Sequence, residues 1–420
     1  MTDPQVVTHV LGNGLTVVVE AMPAVQSAAI TVLQPTGSVH DAPGKSGTAA
    51  LLSELLTRGA GDYSTRELSA ALDNLGVQRS VSPGLSHLTL SAATTADRIG
   101  DAIPLLAAMM TSPHLDSEQF SPAQDLVRQA LHALEDEPQQ RLGQYLRRCS
   151  YAAPWSNPSS GTLADIDAIS CDDVRQHFKT HARPQGTIIG VAGNVSSSDV
   201  IEKIESAFGS WTGGSGSSIT VDRCEESPMH ISHESAQTHI GLAWPSVPYR
   251  HERYFDAWAA VSILSGGMSS RLFTNVREKR GLCYAISASL STLRHDARVF
   301  GYAGTTNERA QETLEATVME IRGLHEGLTT DELRRCQAQA KSSLIMQQES
   351  TTARSSSLAR DTWHLGRVLM PNDIRTRIDS ITIEDVRDYA VEFAPRQIVL
   401  ATIGPEPLNA DCLQAAAAAV

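Results

Sequence analysis

The chain has 420 residues, enough for two or more domains. Its net charge of −13 argues against nucleic acid as the main partner, because phosphates would be repelled. No apolar run reaches the roughly 20 residues that a bilayer span needs, so no membrane partner is expected.

The start, MTDPQVVTHVLGNGLTVVVE, has neither a basic leader nor an apolar h-region, so no secretory signal is expected. Six scattered cysteines (Cys149, Cys171, Cys224, Cys283, Cys336, Cys412) form no Cys-x-x-Cys pair, which favours reduced thiols and a cytoplasmic location. The first element is a hairpin: β-branched runs flank Gly12-Asn13-Gly14, a strong turn signal. SAAITVLQPTGS follows as a strand. GTAALLSELLTRG, Gly47 to Gly59, is then an amphipathic helix with Leu51, Leu52, Leu55 and Leu56 on one stripe. Ala50, Ser53 and Glu54, at i, i+3 and i+4, share another face, which is small and nearly featureless. Ser64 and Glu67 open the next helix with a capping box, and Gly76 ends it. VQRSVSPGLSHLTLSAATT alternates as paired strands, and helices follow around 97–111 and 117–136.

A Gly/Ser-rich and then acidic stretch, 209–228, reads as a linker. It divides the chain into domains 1–208 and 229–420. The two sides resemble each other. DIDAISCDDVRQHF from Asp165 matches RIDSITIEDVRDYA from Arg377, and LDSEQF from Leu115 matches LTTDEL from Leu328. Both matches lie about 212 residues apart, the mark of a tandem duplication of a whole domain. Hairpins with clustered helices predict an α+β fold: two homologous domains, each a largely antiparallel sheet with helices on one face. His177 and His181 have metal-like i, i+4 spacing but lie past the DDVR helix start, away from the helix of Ala50, and read as partly exposed helix-end residues. His230 and His233 read as strand or linker residues.

The second half carries LSGGMSSRLFTNVREKRGLCYAISASLS, read as an amphipathic helix over SRLFTNVREKRG and then a strand. Its helix and that of the first half both end in Arg-Gly, Arg280-Gly281 and Arg58-Gly59, which matches the two segments to each other. From the residues alone, Arg277 is one surface charge among several and Tyr284 an ordinary strand aromatic.

The run GGMSSRLFTNVREKRGLCY resembles the C-terminal signature of the M16 zinc peptidases of pitrilysin type, in the subfamily of mitochondrial processing peptidase and its bacterial relatives. The resemblance spans essentially the whole chain and implies the LuxS/MPP-like metallohydrolase fold. The family's zinc motif is His-x-x-Glu-His, two imidazoles on one helical face with a Glu as general base. Here Ala50 stands for the first His, Ser53 for the Glu and Glu54 for the second His, while the third ligand falls near Gln129. The resemblance therefore implies a degenerate site with no metal in this chain. Arg277 and Tyr284 match the family's Arg-x6-Tyr pair, two donors that bind substrate and polarise the scissile carbonyl.

The implied function is that of a non-catalytic subunit in a heterodimeric M16 processing metallopeptidase. It would form half of a peptide-enclosing chamber and supply Arg277 and Tyr284 to a partner that carries zinc. Two alternatives stay open. One is a structural assembly subunit like the peptidase-derived core proteins of a respiratory complex. The other is a peptide-binding chaperone or carrier, for example for the precursor of pyrroloquinoline quinone. The alpha-type processing subunits carry a long glycine-rich loop; only Gly266-Gly267 stands here, which argues against presequence binding of the mitochondrial kind.

Overall fold

A computed structural model describes residues 5–216, 219 and 229–414. Most of the predicted linker, 217, 218 and 220–228 with Cys224, lies outside the described residues. No helix among the described residues is long and apolar enough to cross a membrane.

Among the described residues, eleven strands form two sheets. The first contains β1 (Val6–Val10), β2 (Thr16–Ala21), β3 (Ser27–Gln34), β4 (Gln78–Pro83), β5 (Leu88–Thr95) and β6 (Ile188–Gly193), in the order β1-β2-β6-β3-β5-β4. The second contains β7 (Met229–Ser232), β8 (Gln237–Pro245), β9 (Ala285–Thr292), β10 (Ala297–Thr306) and β11 (Val399–Gly404), in the order β7-β11-β8-β10-β9. Each sheet is antiparallel apart from one parallel pair, β2 with β6 and β7 with β11. The two orders superimpose strand for strand once β1 is set aside. The duplication is also visible in detail. Ser170–Asp173 and Thr382–Asp385 form capping boxes at equivalent helix starts. Gln124 and Gln337 each donate to the carbonyl of an equivalent isoleucine, Ile166 and Ile378, at 2.8 Å. The helices cluster over one face of each sheet, around Leu51, Leu55 and Ile103 in the first and Leu264, Leu272 and Leu314 in the second.

Two compact units result, and they differ from contiguous halves. One comprises Met1–Ala133, Ala153–Asp222 and Ile345–Pro371; the other comprises Leu134–Ala152, Arg223–Leu344 and Asn372–Val420. The helix Thr351–Leu365 thus belongs with the first sheet, packing on β2, β3, β5 and β6. The helix Pro138–Ser150 belongs with the second, packing on β8 and β11. Each adds one helix to the face opposite the main cluster. Periodicity shows that a helix has a buried face, not which sheet covers it, so this exchange was not expected from the sequence.

The order of elements also corrects the pairing of the two Arg-Gly segments. In the first half β3 is followed by the helices Thr48–Leu55 and Thr65–Asn74 and then β4. In the second half β8 is followed by Tyr254–Ser265, Leu272–Lys279 and then β9. The segment Leu272–Lys279 therefore corresponds to Thr65–Asn74, and Tyr254–Ser265 takes the place of Thr48–Leu55. Gly76 and Gly281, both with positive φ (64° and 60°), end the matched pair.

Candidate functional site

The helix Thr48–Leu55 buries its leucine stripe completely. Its start is held from outside: Asp41 accepts from the Gly47 amide (2.8 Å) and the Ala49 amide (3.0 Å). A carboxylate there satisfies two orphan donors and opposes the positive end of the helix dipole. Ala50 and Ser53 are both buried, and the Ser53 hydroxyl donates to the Ala50 carbonyl at 2.7 Å, spending its proton on its own helix. Glu54 is half-buried and Gln129 is exposed on Ser117–Glu135. A catalytic zinc wants three protein ligands. A methyl group, a hydroxyl turned onto its own backbone and one carboxylate do not fit it.

The same unit holds a histidine cluster that the sequence reading placed wrongly. His177 and His181 are buried, each 6% exposed. His181 stacks on His40 with centroids 4.5 Å apart and lies 4.9 Å from His177. His177 Nε2 lies 3.2 Å from the Thr36 carbonyl, and its Nδ1 lies 3.8 Å from Asp41. Burial, with the neighbouring histidines, lowers His40 to about 4 and His177 to about 3, while burial raises Asp41 to about 7. The expectation of exposed helix-end residues failed because their partners, His40 and Asp41, are over a hundred residues away in sequence.

In the C-terminal unit Leu272–Lys279 is a π-helix rather than the expected α-helix, wound between the buried Leu272 and Val276. Such wide turns are rare and recur at functional sites. Arg271 anchors its start by an ion pair with Glu332 (2.7 Å). Arg277 stands half-exposed on it, its guanidinium carbon 4.4 Å from the Phe273 ring centre. Tyr284, 45% exposed, precedes β9; its amide donates to the Gly304 carbonyl (3.0 Å) and its hydroxyl to Gln237 Oε1 (2.7 Å). Tyr302 lies beside it and shares a 2.9 Å hydrogen bond with His239 Nδ1. Burial, with Tyr284 adjacent, pushes the Tyr302 phenol up. Gly304 makes the arrangement feasible, since a Cβ there would sit 2.5 Å from the Tyr284 ring carbon and hydroxyl. Gln237, His239, Tyr302 and Gly304 gave no sequence signal, because only strand register brings them to Tyr284. The guanidinium of Arg277 is half-exposed, and the Tyr284 phenol, accessible to solvent, must turn from Gln237 to donate to a carbonyl oxygen.

Residues 16–162 match the family described as insulinase, peptidase family M16, and residues 168–340 match the peptidase M16 inactive domain. YmxG of Bacillus subtilis, named an uncharacterized zinc protease, is 27% identical over 94% of this chain and 97% of its own length. SCO5738 of Streptomyces coelicolor, named likewise, is 26% identical over 94% of this chain and 88% of its own length. A peptidase M16 inactive domain from Pseudomonas fluorescens shares the fold with a TM-score of 0.88 at 18% identity, covering 96% of this chain and 99% of that one. A chain of complex III2 from Candida albicans does so with 0.81 at 18% identity, covering 96% of each. The chain belongs to peptidase family M16.

Proposed function

We propose that this chain is the non-catalytic subunit of a heterodimeric M16 processing peptidase. It encloses a peptide together with a zinc-bearing partner and supplies Arg277 and Tyr284 to the scissile carbonyl. The observation that carries this reading is a contrast within the chain. The helix at the metal-motif position has its small polar group turned inward, while Arg277, half-exposed on a π-helix, and Tyr284, just before β9, both reach solvent. Donors aimed at a developing oxyanion are worth about 10²–10³ in rate each.

The test is co-purification with an M16 protein that carries His-x-x-Glu-His, followed by cleavage assays on the complex. Arg277→Ala and Tyr284→Phe should leave assembly intact and lower turnover by about 10²–10³. Lys279→Ala should do little, since Lys279 bonds Asn275 (3.0 Å) on its own helix. Failure to co-elute, or unchanged cleavage in both variants, overturns the reading. The fold likeness to a complex III2 chain favours a second reading, a purely structural subunit, and unchanged cleavage in an intact complex would select it.

A further inference from the structure

The Tyr284 phenol ends a row of polar side chains that runs back into the second sheet. Its hydroxyl donates to Gln237 Oε1 at 2.7 Å. Gln237 is exposed, and its side-chain oxygen is an amide carbonyl, the same kind of acceptor as a scissile peptide bond. Behind Tyr284 stands Tyr302. A Cβ built on Gly304 would lie 2.5 Å from the Tyr284 hydroxyl and 2.8 Å from the Tyr302 hydroxyl, so the two meet over one bare backbone position. Behind Tyr302 stands His239, 6% exposed, with Nδ1 2.9 Å from the Tyr302 hydroxyl. Strand register assembles the row. His239 pairs with Gly304 across β8 and β10, and Gln237 and Tyr302 each stand two residues along their strand, hence on the same face.

The protons in this row are few enough to follow one by one. Each phenol has one to give, and a neutral imidazole has one, on either nitrogen. Burial, with His233 near, lowers the His239 pKa and keeps the ring neutral at neutral pH. With its proton on Nδ1, His239 donates to Tyr302, Tyr302 donates to the Tyr284 oxygen, and the Tyr284 proton is left facing outward. With its proton on Nε2, the bare Nδ1 takes the Tyr302 proton instead. The Tyr302 oxygen then draws the Tyr284 proton inward, or the two phenol oxygens face each other with no proton between them. In the structure Tyr284 donates outward, to Gln237. The Nδ1–H arrangement alone combines that direction with a bond from Tyr302 to Tyr284. A phenol that donates holds its proton more tightly, and the Tyr284 contact adds to burial in pushing the Tyr302 phenol up.

We propose that His239 and Tyr302 are positioning residues for the Tyr284 donor. The Nδ1–H tautomer of His239, acting through Tyr302, keeps the Tyr284 proton pointing outward, where a peptide carbonyl oxygen takes the place of Gln237. Hydrogen bonds in a chain polarise one another, so the row also strengthens the outward donor. The inference rests on the reading of Tyr284 as a carbonyl donor, and two measurements separate the one from the other.

The first needs no partner. Nitrogen-15 NMR of the full chain labelled in histidine, with His239 assigned by its loss in His239→Asn, should show a neutral ring protonated on Nδ1. A ring protonated on Nε2 overturns the proposal whatever Tyr284 does. The second uses the complex with a zinc-bearing partner. Tyr302→Phe, which removes one hydroxyl, and His239→Leu should each lower kcat about tenfold with KM unchanged. His239→Asn, whose amide nitrogen donates from near the place of Nδ1, should restore most of that loss. Added to Tyr284→Phe, Tyr302→Phe should cost nothing more, because the proton it directs is gone. Unchanged cleavage in Tyr284→Phe overturns the reading of Tyr284 and the positioning role with it. A loss in Tyr284→Phe, with either no loss in Tyr302→Phe or a further loss in the double variant, overturns the positioning role and leaves the reading of Tyr284 standing.

Discussion

The outer helices of the two sheets are held in opposite ways. On the first sheet Thr351–Leu365 lies almost backbone to backbone with β6: a Cβ on Gly190 would stand 2.2 Å from the Ser355 carbonyl oxygen. Its contacts are largely polar and buried. Glu20 accepts from Arg354 Nε at 3.1 and 3.2 Å, Thr31 bonds Ser355 at 2.9 Å, and Ser27 bonds Thr351 at 3.2 Å. On the second sheet Pro138–Ser150 stands off on leucines: a Cβ on Gly241 would meet side-chain atoms of Leu142 and Leu146 at 3.1–3.3 Å. A helix locked against its sheet by paired polar groups approaches it closely. A helix propped on side chains leaves a recess, and that recess lies in the same unit as Arg277 and Tyr284. One duplicated plan has yielded a closed unit and an open one.

The largest test of this contrast is the buried pair. Removing one partner strands a charge, so Arg354→Ala or Glu20→Ala should each cost about 3–5 kcal/mol in urea unfolding. Replacing both with apolar residues of similar size, Glu20→Leu with Arg354→Met, should recover most of that loss. If Arg354→Ala costs no more than a surface substitution, the polar lock is not what holds the first unit closed.

Acid should strike the closed unit next. His177 is buried and neutral, with a folded value of about 3 against 6.5 for the free side chain. Below pH 6.5 the unfolded chain takes up a proton that the folded chain refuses, so stability falls as pH drops toward about 3. At pH 4.5 that is about two pKa units, or about 2–3 kcal/mol, from His177. His40 and His181 act in the same direction. Asp41 has the opposite sign: raised to about 7, it contributes stability at low pH that is lost as pH rises toward 7. His177→Gln should flatten the acid limb of a urea-midpoint profile between pH 6.5 and 4.5, and Asp41→Asn should steepen it. A wild-type profile flat over that window, or one that His177→Gln leaves unchanged, would remove the cluster from the account.

The sequence carried the duplication because it resides in local runs: those from Asp165 and Arg377, and from Leu115 and Leu328, open equivalent helices. The absence of imidazoles at 50 and 54 likewise needs no structure to be seen. What it hid was long-range. Arg354, Ser355 and Asp361 break the amphipathic pattern of their helix by being buried. The partner that makes burial tolerable for Arg354, Glu20, sits 334 residues earlier. The π-helical winding of Leu272–Lys279 was equally hidden, since its apolar residues Leu272 and Val276 also suit an α-helix.

The two close-approach glycines sharpen the contrast at smaller scale. Gly190→Ala must push a helix backbone away, and overpacking of this kind costs about 1–3 kcal/mol. Gly241→Ala meets side-chain atoms of Leu142 and Leu146 at 3.1–3.3 Å rather than backbone, so these can give by a few tenths of an ångström, and it should cost less than about 1 kcal/mol. Equal costs would mean that the second helix is as tightly seated as the first.

The smallest effect has the opposite sign. Gly143 lies inside the helix Pro138–Ser150, has no left-handed backbone requirement, and faces open space where a Cβ would be. Gly in a helix interior loses more freedom on folding than Ala, so Gly143→Ala should stabilise the chain by about 0.5–1 kcal/mol. The gain requires that the added methyl group meet nothing, which holds only if the second sheet's outer helix is propped rather than locked. Thermal unfolding of the single variant measures it directly. A lower melting temperature would mean that the recess is filled by neighbouring side chains in solution, and that the open unit is closed after all.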